Sequence, residues 1–367
     1  MVHKAWRRRL GGRARAGWAL AVLGLLFPAA ATGAATAADP AAAAGPARVV
    51  REVRAGDRML DVAVSSPSLD APSKWVRLLL PKGWTKNTSR TWPTLWMLHG
   101  GGGNHTDWTR NTHIEELAAA RDAVVVLPET SGCSNYSDWH NHGRWGAPAW
   151  ETYLMDELRP LLEREYRADP RRAAVGGLSM GGHGALTLTA KHPGAFRAAA
   201  SYSGYVNPLY RSPDGGPHGP DAVKVGGGLV CLTDWKRIWG EPGYPFDTTD
   251  PKDVRQRWLW ERNSSLHQAA GLKGIPLHLF YANGTDTGPG WKWGDPPAPA
   301  SRCNDPAAHG PELVERTIFG MNGQLRAKLK KLGIPATVCA STGIHTWPYW
   351  ERELVVSYPM LMRAIGA

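Results

Sequence analysis

The stretch AAVGGLSMGGHGALTLTAKHP (residues 173–193) sets one serine among glycines, after a small apolar run and before a helix-like pattern. Its segment GLSMG (177–181) fits G-x-S-x-G, the pattern of a nucleophile elbow, in which a strand turns sharply into a helix and exposes the serine. Glycines are required on both sides because side chains would clash in so tight a turn. A serine that only caps the helix is the alternative, but the strand and helix patterns around it favour Ser179 as a nucleophile.

Short apolar strands alternate with amphipathic helices along most of the chain. We predict strands at 94–100, 124–129, 172–177, 198–204, 276–284 and 336–342, and helices at 111–123, 149–166, 180–192 and 311–333. Such alternation predicts an α/β fold with a mostly parallel central sheet and helices on both faces. The alternation of strands and helices is interrupted at residues 205–270, where we predict an excursion over the top edge of the sheet. Residues 285–310 are rich in Pro and Gly, and we predict a long loop there.

The amino terminus has the pattern of a targeting segment. Six Lys and Arg residues precede an apolar run of about ten residues, and small residues end at Ala37. This pattern predicts a signal peptide over 1–37 rather than a stable membrane anchor, because a transmembrane helix needs about 20 apolar residues. We expect an N-terminal flexible segment and the first strands at 38–74, and a single catalytic domain at 75–367. The predicted location is therefore secreted, extracellular or in the cell envelope.

Charge and cysteine usage agree with an exported globular protein. Of the 367 residues, 43% are hydrophobic and 20% charged, which suits a substantial core. The net charge of +11 includes the basic leader, and no basic stripe with interleaved aromatic residues follows, so no nucleic-acid partner is expected. The four cysteines predict one or two disulfides, with three full pairings open: Cys133, Cys231, Cys303 and Cys339.

A serine nucleophile needs a base, which in this type of fold follows the serine and the acid along the chain. His345 lies in STGIHTWPYW, directly after the strand predicted at 336–342, and is our candidate. His278 falls inside a strand pattern and His309 in the Pro-rich loop, so packing and exposure explain them. His183, on the helix after the elbow, is too close in sequence to Ser179 and is expected to pack.

Two carboxylates are candidates for the acid that orients the histidine. Asp286 in YANGTDTG follows a predicted strand, the common position for the acid in this architecture. Glu315 lies near the start of the helix predicted at 311–333. Either could instead have a local role, Asp286 in a turn and Glu315 at the positive end of the helix dipole. Reasoning from the residues leaves both open.

Two backbone amides are candidates for an oxyanion hole. LHGGGGNHTDW (98–108) follows a strand and resembles the HGGG element of esterases, so Gly101 can offer its N–H closely to a substrate. The elbow aims the amide of Met180 at the same place. A phosphate-binding loop is the alternative for the glycines, but no G-K-[ST] follows them.

Other patterns are weaker. His140 and His142 could bind a metal ion from one side of a strand, but no third ligand is evident, so neither a metal nor a cofactor is expected. The chain has 18 tryptophans, and eight in or near predicted top loops could line an acyl groove or stack on sugars: Trp139, Trp145, Trp235, Trp239, Trp291, Trp293, Trp347 and Trp350.

Over residues 75–365 the chain resembles the secreted esterase and mycolyltransferase family that includes the antigen 85 proteins. The matching stretches are SNYSDW (134–139), WETYLMDEL (150–158), GLSMGGHGAL (177–186), ERN (261–263), YANGT (281–285), LVERTIFGMN (313–322) and HTWPYW (345–350). This resemblance implies an α/β-hydrolase fold with a triad of Ser179, Glu315 and His345. It also implies oxyanion donors at Gly101 and Met180.

The resemblance has two departures, and one of them is Asp286, which stands where those enzymes usually have no acid. Mycolyltransferases carry an Asp-Gly-Leu-Arg-like segment where this chain has His99–Gly102, so the aspartate and arginine that help hold trehalose are absent. SMGGHGAL is also similar to S-formylglutathione hydrolases, although those lack an export signal. We therefore predict a serine esterase or acyltransferase that passes an acyl group to water or to an alcohol such as a sugar or glycerol. The alternative is a non-catalytic cell-wall or carbohydrate-binding protein on the same scaffold.

Overall fold

The computed structural model describes residues 46–69, 71–140, 148–213, 215, 218–240, 251–307 and 310–367. The predicted signal peptide (1–37) lies outside these ranges and stays a prediction. Most of the Ala/Pro/Gly-rich segment that follows it also lies outside them, as do His142, Trp145 and His309. The described residues belong to a unit that spans 41–367.

Nine strands of the described chain form one sheet. They are β1 (Arg48–Gly56), β2 (Met59–Ser65), β3 (Lys74–Leu79), β4 (Trp92–Leu98), β5 (Val124–Pro128), β6 (Ala168–Leu178), β7 (Ala199–Tyr202), β8 (Leu277–Ala282) and β9 (Thr337–Ser341). Their spatial order is β1-β2-β3-β5-β4-β6-β7-β8-β9. The pairs from β1 to β5 are antiparallel, and all pairs from β5 to β9 are parallel.

Helices pack on both faces of this sheet. They are α1 (Asp107–Asn111), α2 (Ile114–Ala119), α3 (Trp150–Thr152), α4 (Arg159–Tyr166), α5 (Met180–Lys191), α6 (Gly219–Val225), α7 (Lys236–Trp239), α8 (Pro251–Arg262), α9 (Leu313–Lys331) and α10 (Trp347–Ile365). Side chains of α4, α5 and α9 join one apolar core, and those of α1, α2 and α10 join a second core. The predicted α/β-hydrolase fold, with a mostly parallel sheet and helices on both faces, is confirmed.

Two helical details differ from the prediction. The pattern at 111–123 predicts one helix, and the chain forms the shorter α2 there. A break at Thr112, where the backbone is extended, separates α2 from α1, which ends at Asn111 and has no predicted counterpart. The break lets the backbone N–H and ring of His113 bind Glu351 of α10, a contact that local sequence cannot reveal. The whole of α10 was not predicted, because Pro359 lies inside it and proline normally interrupts a helix.

The described residues of the predicted excursion at 205–270 are largely helical. They include α6, a π-helical turn (Gly226–Val230), α7, α8 and a 3-10 helix (Ala269–Leu272). The prediction of disulfides is confirmed, and the pairs are Cys133–Cys231 and Cys303–Cys339. The first of these pairs joins the segment after β5 to the end of the π-helical turn, across 98 residues of sequence.

Candidate active site

Ser179 forms the tip of a strained turn between β6 and α5. Its backbone has φ of 52° and ψ of −117°, a region that residues other than glycine rarely adopt. A Cβ on Gly177 would lie 2.3 Å from the carbonyl oxygen of Gly181, and one on Gly181 would lie 2.2 Å from that of Leu98. The glycines thus allow the close approach that the sequence motif predicts. The N–H of Ser179 donates a hydrogen bond to the backbone carbonyl oxygen of Tyr202 in β7 at 2.8 Å, which connects the elbow to the sheet.

His345 lies between β9 and α10 and reaches the serine. Its Nε2 is 2.9 Å from Ser179 Oγ. The ring packs at right angles against Trp350, with 4.8 Å between the ring centroids. Trp350 is itself buried in the first turns of α10, so the imidazole has a fixed neighbour on one side. The sequence-predicted serine and histidine are therefore within hydrogen-bonding distance.

Glu315 completes the hydrogen-bonded chain. It sits in the first turn of α9 with no exposed surface, and its Oε2 lies 2.6 Å from His345 Nδ1. The other oxygen, Oε1, accepts hydrogen bonds from the N–H of Ala282 and from Ser203 Oγ, each at 2.7 Å. The side chain of Glu312 caps α9 by accepting from the N–H of Glu315 itself at 2.9 Å, which fixes the start of the helix. Every described contact of Glu315 holds it toward His345.

Asp286, the other acid candidate, is directed elsewhere. Its side chain is exposed, accepts from the N–H of Gly288 at 3.0 Å, and accepts from Tyr349 Oη at 2.8 Å. These hydrogen bonds, that of Gly288 first, lower the pKa of the carboxyl below its ordinary value. Of the two candidates, the structure brings Glu315 to His345 and gives Asp286 the turn position that the sequence also allows.

The competing histidines that the structure describes are packed or paired. His183 is fully buried and stacks on Tyr205 with 4.6 Å between the rings. Burial lowers the pKa of His183 to about 3, so the ring is neutral at ordinary pH. His278 lies in β8 and donates from Nε2 to Glu353 at 3.2 Å. Neither ring makes a described hydrogen bond to Ser179.

The two residues whose amides are proposed for an oxyanion hole lie at the same cavity as Ser179. Gly101 and Met180 both line this cavity. The Gly100 carbonyl accepts a hydrogen bond from His99 Nδ1 at 2.7 Å and one from the N–H of Gly103 at 3.2 Å. Because C=O and N–H point in opposite directions across a trans peptide, these bonds direct the Gly101 N–H away from His99.

The tautomer of His99 follows from its partners. A carbonyl oxygen can only accept, so Nδ1 carries the proton, and Nε2 accepts from the N–H of Thr130 at 3.1 Å. His99 is buried, and burial lowers its pKa. A neutral ring with this proton position therefore links the glycine loop to the segment after β5.

An apolar cavity of about 460 Å³ opens beside Ser179, within the range of about 300–1,000 Å³ that small-molecule sites occupy. One wall is drawn from residues 221–227 of α6 and the π-helical turn. The facing wall is α9, through Leu313, Val314, Thr317, Ile318 and Met321. Leu313, Val314 and Val225 remain about half exposed at 49%, 52% and 53%, so the mouth of the cavity is apolar as well.

The structure also locates the weaker candidates. None of the described tryptophans lines the cavity; Trp139, Trp239 and Trp291 are buried. Within the described ranges, no group of three or more His, Cys, Asp or Glu residues could hold a metal ion. His140 is described, but its predicted partner His142 lies outside those ranges.

Sequence reasoning missed Ser203 and the N–H of Ala282, and it named Trp350 for a different role. Ser203 and the N–H of Ala282 bind the carboxylate of Glu315, and Trp350 Nε1 donates to Ser203 Oγ at 3.0 Å. Trp350 had a signal, since it belongs to the HTWPYW stretch. Ser203 had none, because its role depends on a positive φ of 50° after β7 that the letters SYSG do not specify.

The chain is similar in sequence and in fold to known proteins. The chain is 28% identical over 283 residues to the diacylglycerol acyltransferase/mycolyltransferase Ag85B of Mycobacterium leprae (strain TN), which covers 75% of this chain and 77% of that protein. Two solved structures share the fold. The S-formylglutathione hydrolase from Agrobacterium tumefaciens has a TM-score of 0.61 at 16% identity, covering 87% of this chain and 99% of that one. MPT51 of Mycobacterium tuberculosis has a TM-score of 0.58 at 18% identity, covering 88% and 100%.

The family itself follows from a match along most of the chain. The model of the Esterase family, described as "Putative esterase", matches residues 66–361, which include the elbow, Glu315 and His345. The resemblance drawn from the sequence motifs is thereby confirmed. The chain belongs to the Esterase family.

Proposed function

We propose that this protein is an exported serine esterase or acyltransferase in which Ser179, His345 and Glu315 form the catalytic triad. The observation that carries the proposal is one continuous hydrogen-bonded chain, Ser179 Oγ to His345 Nε2 and His345 Nδ1 to Glu315 Oε2, beside an apolar cavity. A buried carboxylate and a strained serine are costly to maintain, and nucleophilic catalysis is the chemistry that requires both.

In the acylation step, Ser179 Oγ attacks the carbonyl carbon of an ester whose acyl chain occupies the cavity. His345 Nε2 takes the serine proton, and Glu315 stays ionised and stabilises the imidazolium. The N–H groups of Gly101 and Met180 bind the oxygen that becomes negative in the tetrahedral intermediate. His345 then gives its proton to the departing alcohol, which leaves an acyl group bonded to Ser179.

In the deacylation step, an acceptor hydroxyl repeats the sequence in reverse. His345 takes the acceptor's proton, the oxygen attacks the acyl carbonyl, and Ser179 leaves with the proton returned. Water gives hydrolysis, and a sugar or glycerol hydroxyl gives acyl transfer. The relatives named above, a mycolyltransferase and a hydrolase, support an acyl ester as the substrate of either reaction.

The proposed export rests on sequence and covalent structure. A signal peptide over 1–37 would be removed, the segment 38–74 would lead into the sheet, and 75–367 would form the catalytic domain. Two disulfides support an oxidising compartment, because disulfides persist mainly outside the cytosol. No helix in the described part of the chain is long and apolar enough to cross a membrane.

The deciding experiment is covalent labelling of the nucleophile. The purified protein and its Ser179→Ala variant are treated with a fluorophosphonate, and intact masses are recorded. We expect one adduct on the parent protein and none on the variant, with labelling slowed in His345→Gln because the serine then lacks its base. A folded parent protein that takes up no label would contradict the proposal and favour the non-catalytic binding protein.

A further inference from the structure

One wall of the cavity consists of α6 and the π-helical turn, and the turn begins with three consecutive glycines, Gly226–Gly228. Part of this wall packs on the domain, since Val223 joins the core and a Cβ on Gly227 would lie 2.7 Å from Trp235 Cβ. A Cβ at Gly226 or at Gly228 would meet no other described atom within 4 Å. Glycine backbone in such open space has many accessible conformations, so a covalent restraint limits how far this part of the wall can move.

The restraint is the Cys133–Cys231 disulfide. Cys231 follows the last residue of the π-helical turn, and Cys133 lies after β5, where it lines the cavity itself. The bond joins positions 98 residues apart, so it attaches the glycine-containing wall to the central sheet directly. Among the described residues it is the only disulfide between residues 205–270 and the rest of the domain.

The same disulfide also abuts the glycine loop that carries Gly101. Gly132, next to Cys133, accepts a hydrogen bond from the N–H of Gly102 at 2.9 Å. A Cβ on Gly132 would lie 2.9 Å from Gly102 Cα on one side and 3.4 Å from Cys231 Sγ on the other. Gly132 is therefore in contact both with the glycine loop and with the disulfide that ends the cavity wall.

From this arrangement we infer that the Cys133–Cys231 disulfide determines acyl-chain specificity by holding the α6 wall against the acyl chain. The inference rests on the proposed function and extends it. A long acyl chain gains binding energy from both α9 and the α6 wall, whereas an acetyl group reaches neither and depends on the elbow and glycine loop alone. Loss of the disulfide should therefore lower kcat/KM for long-chain esters much more than for short ones.

The test compares two disulfides of the same protein. Cys133→Ala/Cys231→Ala removes the wall's restraint, and Cys303→Ala/Cys339→Ala is the matched control, because neither Cys303 nor Cys339 lines the cavity. For each protein kcat/KM is measured with p-nitrophenyl octanoate and p-nitrophenyl acetate. Because a lost methylene contact in an apolar pocket lowers kcat/KM by about tenfold or more, we expect the octanoate-to-acetate ratio to fall at least about tenfold in the first variant and to stay unchanged in the control.

A second arm covers a variant that does not fold. Dithiothreitol passes two electrons to the disulfide of the parent protein, which becomes two thiols while the reagent closes to its cyclic disulfide. Alkylation of the thiols and peptide masses then report which pair was opened. The octanoate-to-acetate ratio should fall in step with opening of Cys133–Cys231 and not with opening of Cys303–Cys339.

The outcomes separate the inference from the proposed function. An unchanged ratio, an equal loss with both esters, or unfolding in both arms would overturn the inference, since the disulfide would then serve the fold or the catalytic centre. If the parent protein hydrolyses neither ester and takes no fluorophosphonate, the proposed function itself fails. Hydrolysis of acetate by the parent protein, with a ratio insensitive to the disulfide, would leave the proposed function standing without the inference.

Discussion

His345 Nδ1 lies 2.6 Å from Glu315 Oε2, and the carboxylate is completely buried. The two residues come from opposite ends of one helix–strand segment, Glu315 from the start of α9 and His345 from the loop after β9. A buried carboxylate in this position fixes the imidazole tautomer whose Nε2 can accept the proton of Ser179. The relationship distinguishes the two acids that the sequence left open.

The first prediction concerns this acid. Glu315→Gln should lower kcat by about 10³- to 10⁴-fold and change KM little, because a neutral amide no longer fixes the tautomer of His345 or stabilises its imidazolium form. Asp286→Asn is the matched control and should change kcat by no more than about twofold, as expected of an exposed substitution. Steady-state kinetics with p-nitrophenyl acetate measure both. A larger loss in Asp286→Asn than in Glu315→Gln would reverse the assignment.

Ser203 should act as a positioning residue for Glu315. Ser203→Ala removes a hydrogen bond to a buried carboxylate and should lower kcat by about tenfold at unchanged KM, since such bonds contribute about 1.5–3 kcal/mol. Ser201→Ala, two residues earlier in β7, is the control, because Ser201 Oγ has no hydrogen-bond partner among the described residues. Equal kinetics for the two variants would show that the Ser203 hydroxyl has no such role.

His99 should position the glycine loop. His99→Ala removes the donor to the Gly100 carbonyl and frees the Gly101 N–H to turn away from the oxyanion, so kcat should fall by about 10². His99→Asn should recover part of the loss, because its amide can donate to the same carbonyl. Circular dichroism checks that both variants fold. If the asparagine variant were no better than the alanine variant, the lost activity would reflect lost packing rather than the lost donor.

The elbow glycines can be tested against a glycine in open space. Gly181→Ala puts a Cβ 2.2 Å from the Leu98 carbonyl and should destabilise the protein by more than about 3 kcal/mol or prevent folding. Gly323→Ala, on α9 with no neighbour within 4 Å, should stabilise it by about 0.5–1 kcal/mol. Urea unfolding gives both free energies. A stable Gly181→Ala protein would show that the elbow can accommodate a Cβ at position 181.

Stability at low pH should depend on Glu353. This buried carboxylate of α10 binds His278, Arg302 and Arg352, at distances from 2.7 to 3.2 Å. Burial would raise its pKa, but the hydrogen bond of His278 and the charges of His278, Arg302 and Arg352 outweigh burial and lower the pKa from 4.5 to about 2. A carboxyl with a lowered pKa stabilises the folded state fully above pH 4.5 and loses that contribution as the pH falls to about 2.

Glu353→Gln should therefore change stability in two ways. At pH 7 the variant should be less stable by about 3–5 kcal/mol, because it leaves two arginines without their buried partner. Between pH 4.5 and about 2 it should lose less stability than the parent protein, because glutamine does not titrate. Urea unfolding at several pH values measures both effects. If the free energy of unfolding falls equally in the two proteins over this pH range, Glu353 is not the group that titrates there.

Much of the fold could be predicted from local sequence. Strand and helix patterns are periodic, and the parallel strands from β4 onward are short apolar runs between helices, which is the local signature of a covered sheet. The final helix α10 escaped prediction because Pro359 interrupts its pattern, and only its packing against the second core sustains it. The break at Thr112 lies next to His113, which binds Glu351, 238 residues further along the chain.

The sequence by itself determined the elements whose chemistry is local. The elbow motif required glycine neighbours and made Ser179 the candidate nucleophile. The glycine run made Gly101 a candidate oxyanion donor, and the order of residues made His345 the candidate base. These signals are local because tight turns constrain the residues that form them.

Only the tertiary structure decided how distant residues meet. It put Glu315 rather than Asp286 against His345, set Ser203 behind the carboxylate, and paired Cys133 with Cys231. Each of these contacts joins elements far apart in sequence, and each depends on the order in which the strands lie side by side. Sequence spacing carries no record of that order, because it is set by packing of whole helices and strands around the core.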